Sequence, residues 1–325
     1  MQARSQKLDS VKGFAIILVV FGHFIENYRS DFTLVRMLYG VIYAFHIPLL
    51  VFASGTVSKL VIDRTEASKI IRRIIAPLVV FNLLYMLVGM GLTGNSLHIA
   101  VTPYWLMWFL ASLACWRMAL PLFASKRGLM ASIVIAIVAG WSESIGYPFS
   151  LSRTLYFMPF FVAGHLYGQR LISSTQGGSL PWKFACLCVG AIIALIVATT
   201  IWKGLPVSIF YGAKSYPAGQ EFAFAAIRTL ALAGAAALVF VAFHVIPSGF
   251  AFLAFCGTRS LSIYLLHGFL VMIWKAQAIN ASGTLEVIAL ATIATIATIA
   301  ISCAAAPITD LVSGRRLPTA PPSPI

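Results

Sequence analysis

The sequence predicts an all-α integral membrane protein, a polytopic bundle of about ten transmembrane helices. Of its 325 residues, 60% are hydrophobic and only 10% are charged, whereas a typical soluble domain is about 25% charged. The mean hydropathy is +0.92. Apolar stretches long enough to cross a bilayer recur along the whole chain. Together these observations exclude a soluble globular enzyme.

Ten apolar stretches bounded by charges, turns or Gly/Pro clusters define the expected helices. They lie near 11–29, 36–56, 74–93, 103–123, 129–146, 154–172, 182–202, 222–246, 251–274 and 285–307. The first follows basic residues as in a signal peptide. Because His23 interrupts it and no small-residue cleavage site follows, we expect a retained span. We expect one domain over 1–317 and a disordered Pro-rich tail over 318–325.

The basic residues predict the orientation of the bundle. Sixteen of the 23 Lys and Arg residues fall in the terminal segments and in alternate loops, and six fall in the opposite loops. The positive-inside rule then places both termini in the cytoplasm. Because these residues form short clusters between apolar stretches, they indicate topology and no nucleic-acid partner. The five cysteines show neither zinc spacing nor a disulfide framework, and we expect no metal.

Polar residues in the first stretch are the strongest functional candidates, because ionisable groups inside a bilayer are costly. Lys12 and His23 are just over three helical turns apart on one face, about 16 Å. Asp9 and Glu26 extend this face. A cation three turns from an imidazole suits a long anionic cofactor such as coenzyme A, with His23 as the base and Glu26 orienting it. Alternatively, Lys12 snorkels to the interface and His23 only bonds a neighbouring helix.

A second basic cluster follows the second apolar stretch. Lys69, Arg72 and Arg73 lie within one turn at the predicted start of a helix, where they suit the phosphates of an anionic ligand. An ordinary positive-inside cluster beside lipid headgroups explains the same pattern.

The run from Leu8 to His23, LDSVKGFAIILVVFGH, resembles the first helix of membrane-bound acyltransferase family 3, especially its fucose 4-O-acetylase-like branch. Further blocks match in the family's order. They are Phe45 to Gly55, Lys69 to Pro77, Trp105 to Leu110, Arg153 to Gly164 and Ser260 to His267. The resemblance therefore extends over most of the chain, from residue 8 to about 270.

This resemblance implies transfer of an acyl group, commonly acetyl from cytoplasmic acetyl-CoA, to a hydroxyl of a cell-envelope sugar in the bacterial inner membrane. It implies that His23 is the catalytic histidine, Lys12 its basic partner, and Lys69 and Arg72 the pair that engages the donor. Lys stands at positions 12 and 69 where many members have Arg, and Lys lacks the bidentate fork for phosphate. Acetyl-CoA is then a co-substrate, and no tightly bound cofactor is expected.

Other polar residues are assigned around this centre. We expect His46 to line the same cavity as His23, and Arg153, Trp108 and His267 to contact a glycan or lipid-linked sugar. Headgroup anchoring, an aromatic belt and a satisfied interhelical bond are their respective structural alternatives.

Two further points complete the sequence-based expectations. Arg228 is expected to pair with Glu221, two turns earlier. The competing function is a transporter or flippase of a lipid-linked glycan, but the two halves of the chain show no matching broken helices.

Overall fold

The computed structural model describes residues 5–93, 102–146, 148–175 and 177–314, and in these ranges all regular secondary structure is helical, without strands. The predicted all-α class is confirmed. The predicted tail over 318–325 lies outside the described residues. The helices are α1 Gln6–Ile25, α2 Thr33–Thr56, α3 Arg64–Ile70, α4 Ala76–Thr93, α5 Trp108–Phe123, α6 Lys126–Val138, α7 Leu151–Ser174, α8 Leu180–Trp202, α9 Glu221–Val245, α10 Ala251–Thr258, α11 Ser260–Ala276, α12 Thr284–Ala304 and α13 Ala306–Val312.

Seven helical segments among the described residues are long and apolar enough to cross a membrane. They are α1, α2, α3 with α4, α5, α8, α9 and α12. An eighth is the pair α10 and α11, which bends by 79°. Of the other predicted spans, α6 has 13 residues, about 20 Å, which is shorter than a ~30 Å hydrocarbon core. The other, α7, has 24 residues but is more polar. The count of ten and the side of the termini stay predictions.

The helix that carries the second basic cluster begins with a capped turn. The Asp63 side chain accepts a hydrogen bond of 2.7 Å from the Glu66 backbone N–H, which satisfies an otherwise unpaired donor of α3. A π-helical turn over Ile71–Ile75 then joins α3 to α4. Such turns are rare and frequently occur at functional sites. Here the turn contains both Arg72 and Arg73.

Glycines allow two close helix crossings in the centre of the bundle. At Gly13 of α1, an added Cβ would lie 1.8 Å from the Leu253 carbonyl oxygen of α10. At Gly164 of α7, an added Cβ would lie 2.1 Å from the Phe52 carbonyl oxygen of α2. Small residues let the backbones approach this closely, as is common in membrane bundles. Helices α1, α2 and α7, which carry His23, His46 and Arg153, therefore each make a close backbone contact with a neighbouring helix.

Candidate active site

Two separate cavities lie along α1, one near Lys12 and one near His23. The first has a volume of about 300 Å³ and lies between α1, α2, the α3–α4 segment, α5 and α11. Its charged lining residues are Lys12, Glu66, Lys69, Arg73 and Arg117. Four of these five side chains are basic, so the cavity suits an anionic ligand.

Glu66 organises the basic residues of this cavity. One carboxylate oxygen lies 2.6 Å from Lys69 Nζ and 3.0 Å from Lys59 Nζ, and the other lies 3.1 Å from Arg117 Nη2. Glu66 and Arg117 are both buried. A buried charge is tolerated when it is paired and hydrogen-bonded in this way. Glu66 therefore holds Lys69 and Arg117 in place while neutralising only part of the positive charge.

The predicted clamp residues are not equivalent in the structure. Lys69 and Arg73 line the Lys12 cavity, but Arg72 is not among its lining residues. Arg72 lies instead beside Gly314, where an added Cβ would be 3.3 Å from the Arg72 Cδ. Because consecutive helical residues point to different faces, the two arginines have different surroundings, and of the two only Arg73 lines the cavity.

The second cavity surrounds His23 at the other end of α1 and has a volume of about 100 Å³. Five expected residues and eight others line this cavity. The expected lining residues are His23, Glu26, His46, Trp108 and Arg153, and the others include Tyr39, Tyr43, Trp105, Leu106, Phe157 and Tyr211. The structure therefore brings Glu26 and His46, and two of the three expected acceptor contacts, into one site with His23, while Lys12 lies in the other cavity.

His23 is held by polar and aromatic neighbours. Its Nδ1 lies 3.6 Å from Oε2 of Glu26 and 3.4 Å from the Tyr43 hydroxyl. The Trp105 ring lies 5.4 Å from the imidazole, centroid to centroid. A proton on Nδ1 directed at the Glu26 carboxylate leaves Nε2 with a lone pair. This arrangement is the one that a general base requires.

Glu26 is itself held by other residues. Its Oε2 accepts a hydrogen bond of 2.8 Å from Lys275 Nζ, and its Oε1 accepts one of 3.4 Å from the Tyr39 hydroxyl. Tyr39 is also 2.8 Å from the Tyr211 hydroxyl, which accepts a hydrogen bond from Arg29. Burial raises the pKa of Tyr211, so this hydroxyl stays protonated at neutral pH. The network fixes the carboxylate that faces His23.

The two other candidate histidines share one hydrogen-bonding pattern. The Nδ1 of His46 lies 2.7 Å from the Ile42 carbonyl, and that of His267 lies 2.8 Å from the Tyr264 carbonyl. Because a carbonyl only accepts, the proton of each ring is on Nδ1 and Nε2 is an acceptor. His267 does not line the cavity, but its ring lies 5.6 Å from that of His23. Its Nε2 has no partner among the described residues.

Arg153 and Trp108 lie together on the wall of the His23 cavity. The guanidinium carbon of Arg153 is 5.0 Å from the centre of the Trp108 ring, a cation–π contact. Trp108 in turn stacks on Phe157 at 5.6 Å. The cavity thus has a positive group and an aromatic face beside the imidazole, a combination that suits a polar ligand with a ring.

A thin partition separates the two cavities, which share no lining residue. The Tyr264 hydroxyl donates a hydrogen bond to the Leu106 carbonyl across it. Tyr264 lines the Lys12 cavity, and Leu106 lines the His23 cavity. Trp105, which precedes Leu106, has a φ of 36°, an unfavourable conformation for a residue with a side chain. Strain is therefore concentrated where the partition meets His23.

The expected ion pair between Arg228 and Glu221 is wrong. Arg228 is buried and donates hydrogen bonds of 3.1 and 3.0 Å to the carbonyls of Ala136 and Lys214. It also lies between the rings of Tyr156 and Tyr216, at 5.3 and 4.7 Å. Glu221 instead accepts a hydrogen bond from the Gly219 backbone N–H. Sequence proximity suggested the pair, but carbonyls bind the two Nη groups and aromatic rings flank the guanidinium, whose Nε has no hydrogen bond among the described residues.

Sequence reasoning also missed Glu66 and Lys275. Asp63 and Glu66 match the spacing of a helix-capping box, which indicates a helix start and no further role. Lys275 is 249 residues from Glu26, so no local pattern connects them. Only the fold reveals that one acid supports the basic cavity and that one lysine supports the acid beside His23.

Comparison with known proteins supplies the family. No curated protein and no solved structure compared with this chain matches it significantly. The sequence model of the acyltransferase domain of acyltransferase family 3 matches residues 5–306. This range includes α1 to α12 and every residue described above in the two cavities. The chain therefore belongs to acyltransferase family 3 and is an integral membrane acyltransferase.

Proposed function

We propose that this protein is an O-acetyltransferase of the bacterial inner membrane. It would move an acetyl group from cytoplasmic acetyl-CoA to a hydroxyl of a cell-envelope or exported glycan. The observation that carries the proposal is the arrangement on α1, with Lys12 in a basic cavity and His23, backed by Glu26, in a small polar cavity. One helix thus connects an anion site with a base.

On the donor side, the basic cavity suits the phosphates of coenzyme A. Lys12, Lys69 and Arg73 line it, and ammonium and guanidinium groups form the strongest hydrogen bonds to phosphate oxygens. Its volume of about 300 Å³ is at the lower limit of typical small-molecule clefts. To reach His23, about 16 Å away along α1, the pantetheine arm would have to displace the Tyr264–Leu106 contact that separates the two cavities.

On the acceptor side, His23 would act as the general base. Its Nε2 takes the proton of the sugar hydroxyl while the hydroxyl oxygen attacks the thioester carbonyl. The carbon–sulfur bond then breaks, and the proton passes from the imidazolium to the coenzyme A thiolate. Glu26 stabilises the imidazolium through Nδ1, and Arg153 offers positive charge to the oxyanion or to a lipid-linked phosphate.

The size of the His23 cavity favours acetyl over longer acyl groups. Its volume of about 100 Å³ is well below that of clefts for drug-sized ligands. A short acyl group and the reacting hydroxyl fit beside the imidazole, while the rest of the sugar would remain at the mouth, near Trp108 and Arg153.

The test is acetyl transfer by purified protein in detergent, with radiolabelled acetyl-CoA and cell-envelope glycan. We expect label in the glycan, dependent on His23, and slower transfer from longer acyl-CoA donors. A transporter or flippase would move a lipid-linked glycan in proteoliposomes and incorporate no label, and that result would reject the proposal. Mass spectrometry of surface glycans from strains with and without the gene would identify the acetylated sugar.

A further inference from the structure

A third cavity lies at the end of α1 where the helix begins, on a different face from the Lys12 cavity. Its volume is about 630 Å³, and the first turn of α1, Thr175 and Gly177 between α7 and α8, and the end of α9 line it. Its polar lining includes Lys7, Thr175, Lys183, His244 and Ser248. No Asp or Glu lines it in the described part of the chain.

The positive charges of the lysines that line this cavity are not balanced by a carboxylate among its described lining residues. Lys7 is buried, with an exposure of 8%, and its ammonium group donates to the Ile246 carbonyl at the end of α9. That carbonyl supplies only part of a negative charge. Lys183, near the start of α8, is exposed and adds a second ammonium group to the same wall. Burying a cation is costly without an anionic partner, so the cavity suits an anion.

His244 provides a second and independent indication of a ligand. The ring is 5% exposed and lines the cavity. Its Nδ1 bonds the Phe240 carbonyl at 2.9 Å, and its Nε2 has no hydrogen bond within the ranges that the structure describes. This Nε2 is accessible from the cavity, so a ligand bound there can reach it. With the proton on Nδ1, this Nε2 accepts a hydrogen bond, so the matching ligand carries a hydroxyl as well as a negative charge.

An apolar groove borders the polar cavity. It has a volume of about 430 Å³ and is lined mainly by apolar side chains. The lining residues are Phe52, Phe160, Ala163, Tyr167, Arg170, Leu171, Ser174, Ala236, Val239 and Phe240. The Phe240 ring contacts the His244 ring, with 4.2 Å between centroids.

Helices α7 and α9 contribute to both the polar cavity and the apolar groove. At the end of α7, Leu171 and Ser174 line the groove, and the residues that follow each of them, Ile172 and Thr175, line the polar cavity. A molecule with an anionic head and a hydrocarbon chain would fit the two spaces together.

We propose that this site binds an anionic glycerophospholipid with a hydroxylated headgroup. Its phosphate would contact Lys7 and Lys183, a headgroup hydroxyl would donate to His244 Nε2, and an acyl chain would occupy the Phe240 groove. The groove favours a lipid over a soluble phosphate, because only the lipid has a hydrocarbon chain that can fill an apolar space of this size. The site would bind lipid of the leaflet at the Lys7 end of α1.

Native mass spectrometry of the purified full-length protein tests the proposal, with phosphatidylglycerol, phosphatidylcholine and glycerol 3-phosphate as separate probes. We expect phosphatidylglycerol to bind best. Lys183→Ala should weaken it about fivefold, the equivalent of ~1 kcal/mol for one basic residue at a membrane surface. Ala236→Phe should also weaken it, because Ala236 lines the groove. Lys7 is left unchanged because it also caps α9.

Matched controls separate this site from general surface charge. Lys126 is exposed at the start of α6, after the capping residue Ser125, much as Lys183 follows Ser179. Lys126→Ala should leave phosphatidylglycerol binding unchanged, as should Ala233→Phe on the exposed side of α9. Equal binding of both lipids, or equal losses in Lys126→Ala and Lys183→Ala, would overturn the proposal. Tight binding of glycerol 3-phosphate that is insensitive to Ala236→Phe would assign the site to a soluble phosphate and reject a lipid.

Discussion

The Oε2 atom of Glu26 lies 3.6 Å from Nδ1 of His23. The carboxylate is one helical turn beyond the imidazole, where it favours the tautomer with the proton on Nδ1. It would also stabilise the imidazolium that forms when Nε2 takes a proton. In the proposed mechanism this relationship would make Glu26 a positioning residue for His23, and it predicts different effects for changes at the two positions.

Glu26→Gln should lower kcat by about tenfold, the equivalent of ~1.4 kcal/mol of transition-state stabilisation. The KM for acetyl-CoA should change little, because Glu26 is not in the basic cavity. Steady-state kinetics in detergent measure both constants. Asp31→Asn makes the same chemical change at an exposed position and should be silent. A rise in KM without a change in kcat would contradict the positioning role.

His23→Gln should reduce acetyl transfer by roughly 10²–10⁴-fold, since an amide keeps hydrogen-bonding capacity but cannot act as a base. His23→Ala should be equally inactive. Both variants should remain folded in the membrane, which size-exclusion chromatography of the purified proteins checks. Restored activity in the Gln variant would show that the imidazole only positions a substrate.

Arg73→Ala should weaken coenzyme A binding by roughly 10–150-fold, the equivalent of a charge-assisted hydrogen bond of ~1.5–3 kcal/mol. Arg72→Ala is the matched control, because the neighbouring arginine lies outside the cavity lining. Isothermal titration at two salt concentrations measures both variants. Raising the salt should weaken binding to the wild type more than to Arg73→Ala. Larger losses in Arg72→Ala would show that the other arginine is the donor contact.

Gly164→Ala should destabilise the bundle by ~1–3 kcal/mol, because its Cβ would lie 2.1 Å from the Phe52 carbonyl oxygen and the helices would have to separate. Gly91→Ala meets no atom within 4 Å and should be neutral or stabilise α4 by up to ~1 kcal/mol. Thermal melting in detergent compares the two. Equal melting temperatures would refute the close α2–α7 crossing.

Arg228→Met should lower the melting temperature, because the carbonyls of Ala136 and Lys214 lose their donors at ~1–3 kcal/mol for each buried group left unsatisfied. Glu221→Gln should have no effect, since Glu221 does not pair with Arg228. The same melting assay decides between the two arrangements. Equal decreases in melting temperature in both variants would instead support an ion pair between Arg228 and Glu221.

Local patterns in the sequence were sufficient for the helical class and for much of the candidate site. The hydropathy of a stretch is set by its own residues, so the helical class could be predicted from the sequence. The spacing of Lys12 and His23 follows from helical geometry alone. The 79° bend between α10 and α11 and the short α6 depend on packing, so the exact spans did not follow from hydropathy. The different surroundings of Arg72 and Arg73 depend on which face of their helix meets the cavity, and the local sequence does not determine that. The contact between Glu26 and Lys275 requires the complete fold.

The partition at Tyr264 and Leu106 bears on how the membrane retains its proton gradient. A membrane that stores a proton gradient tolerates no continuous water-filled passage. A catalyst whose two substrates arrive from opposite sides needs openings on both faces. In the proposed function, the Lys12 and His23 cavities would supply these two openings, and the Tyr264–Leu106 contact would close the path between them. An ion entering either cavity would then stop at this contact, so the bilayer would stay insulated between turnovers.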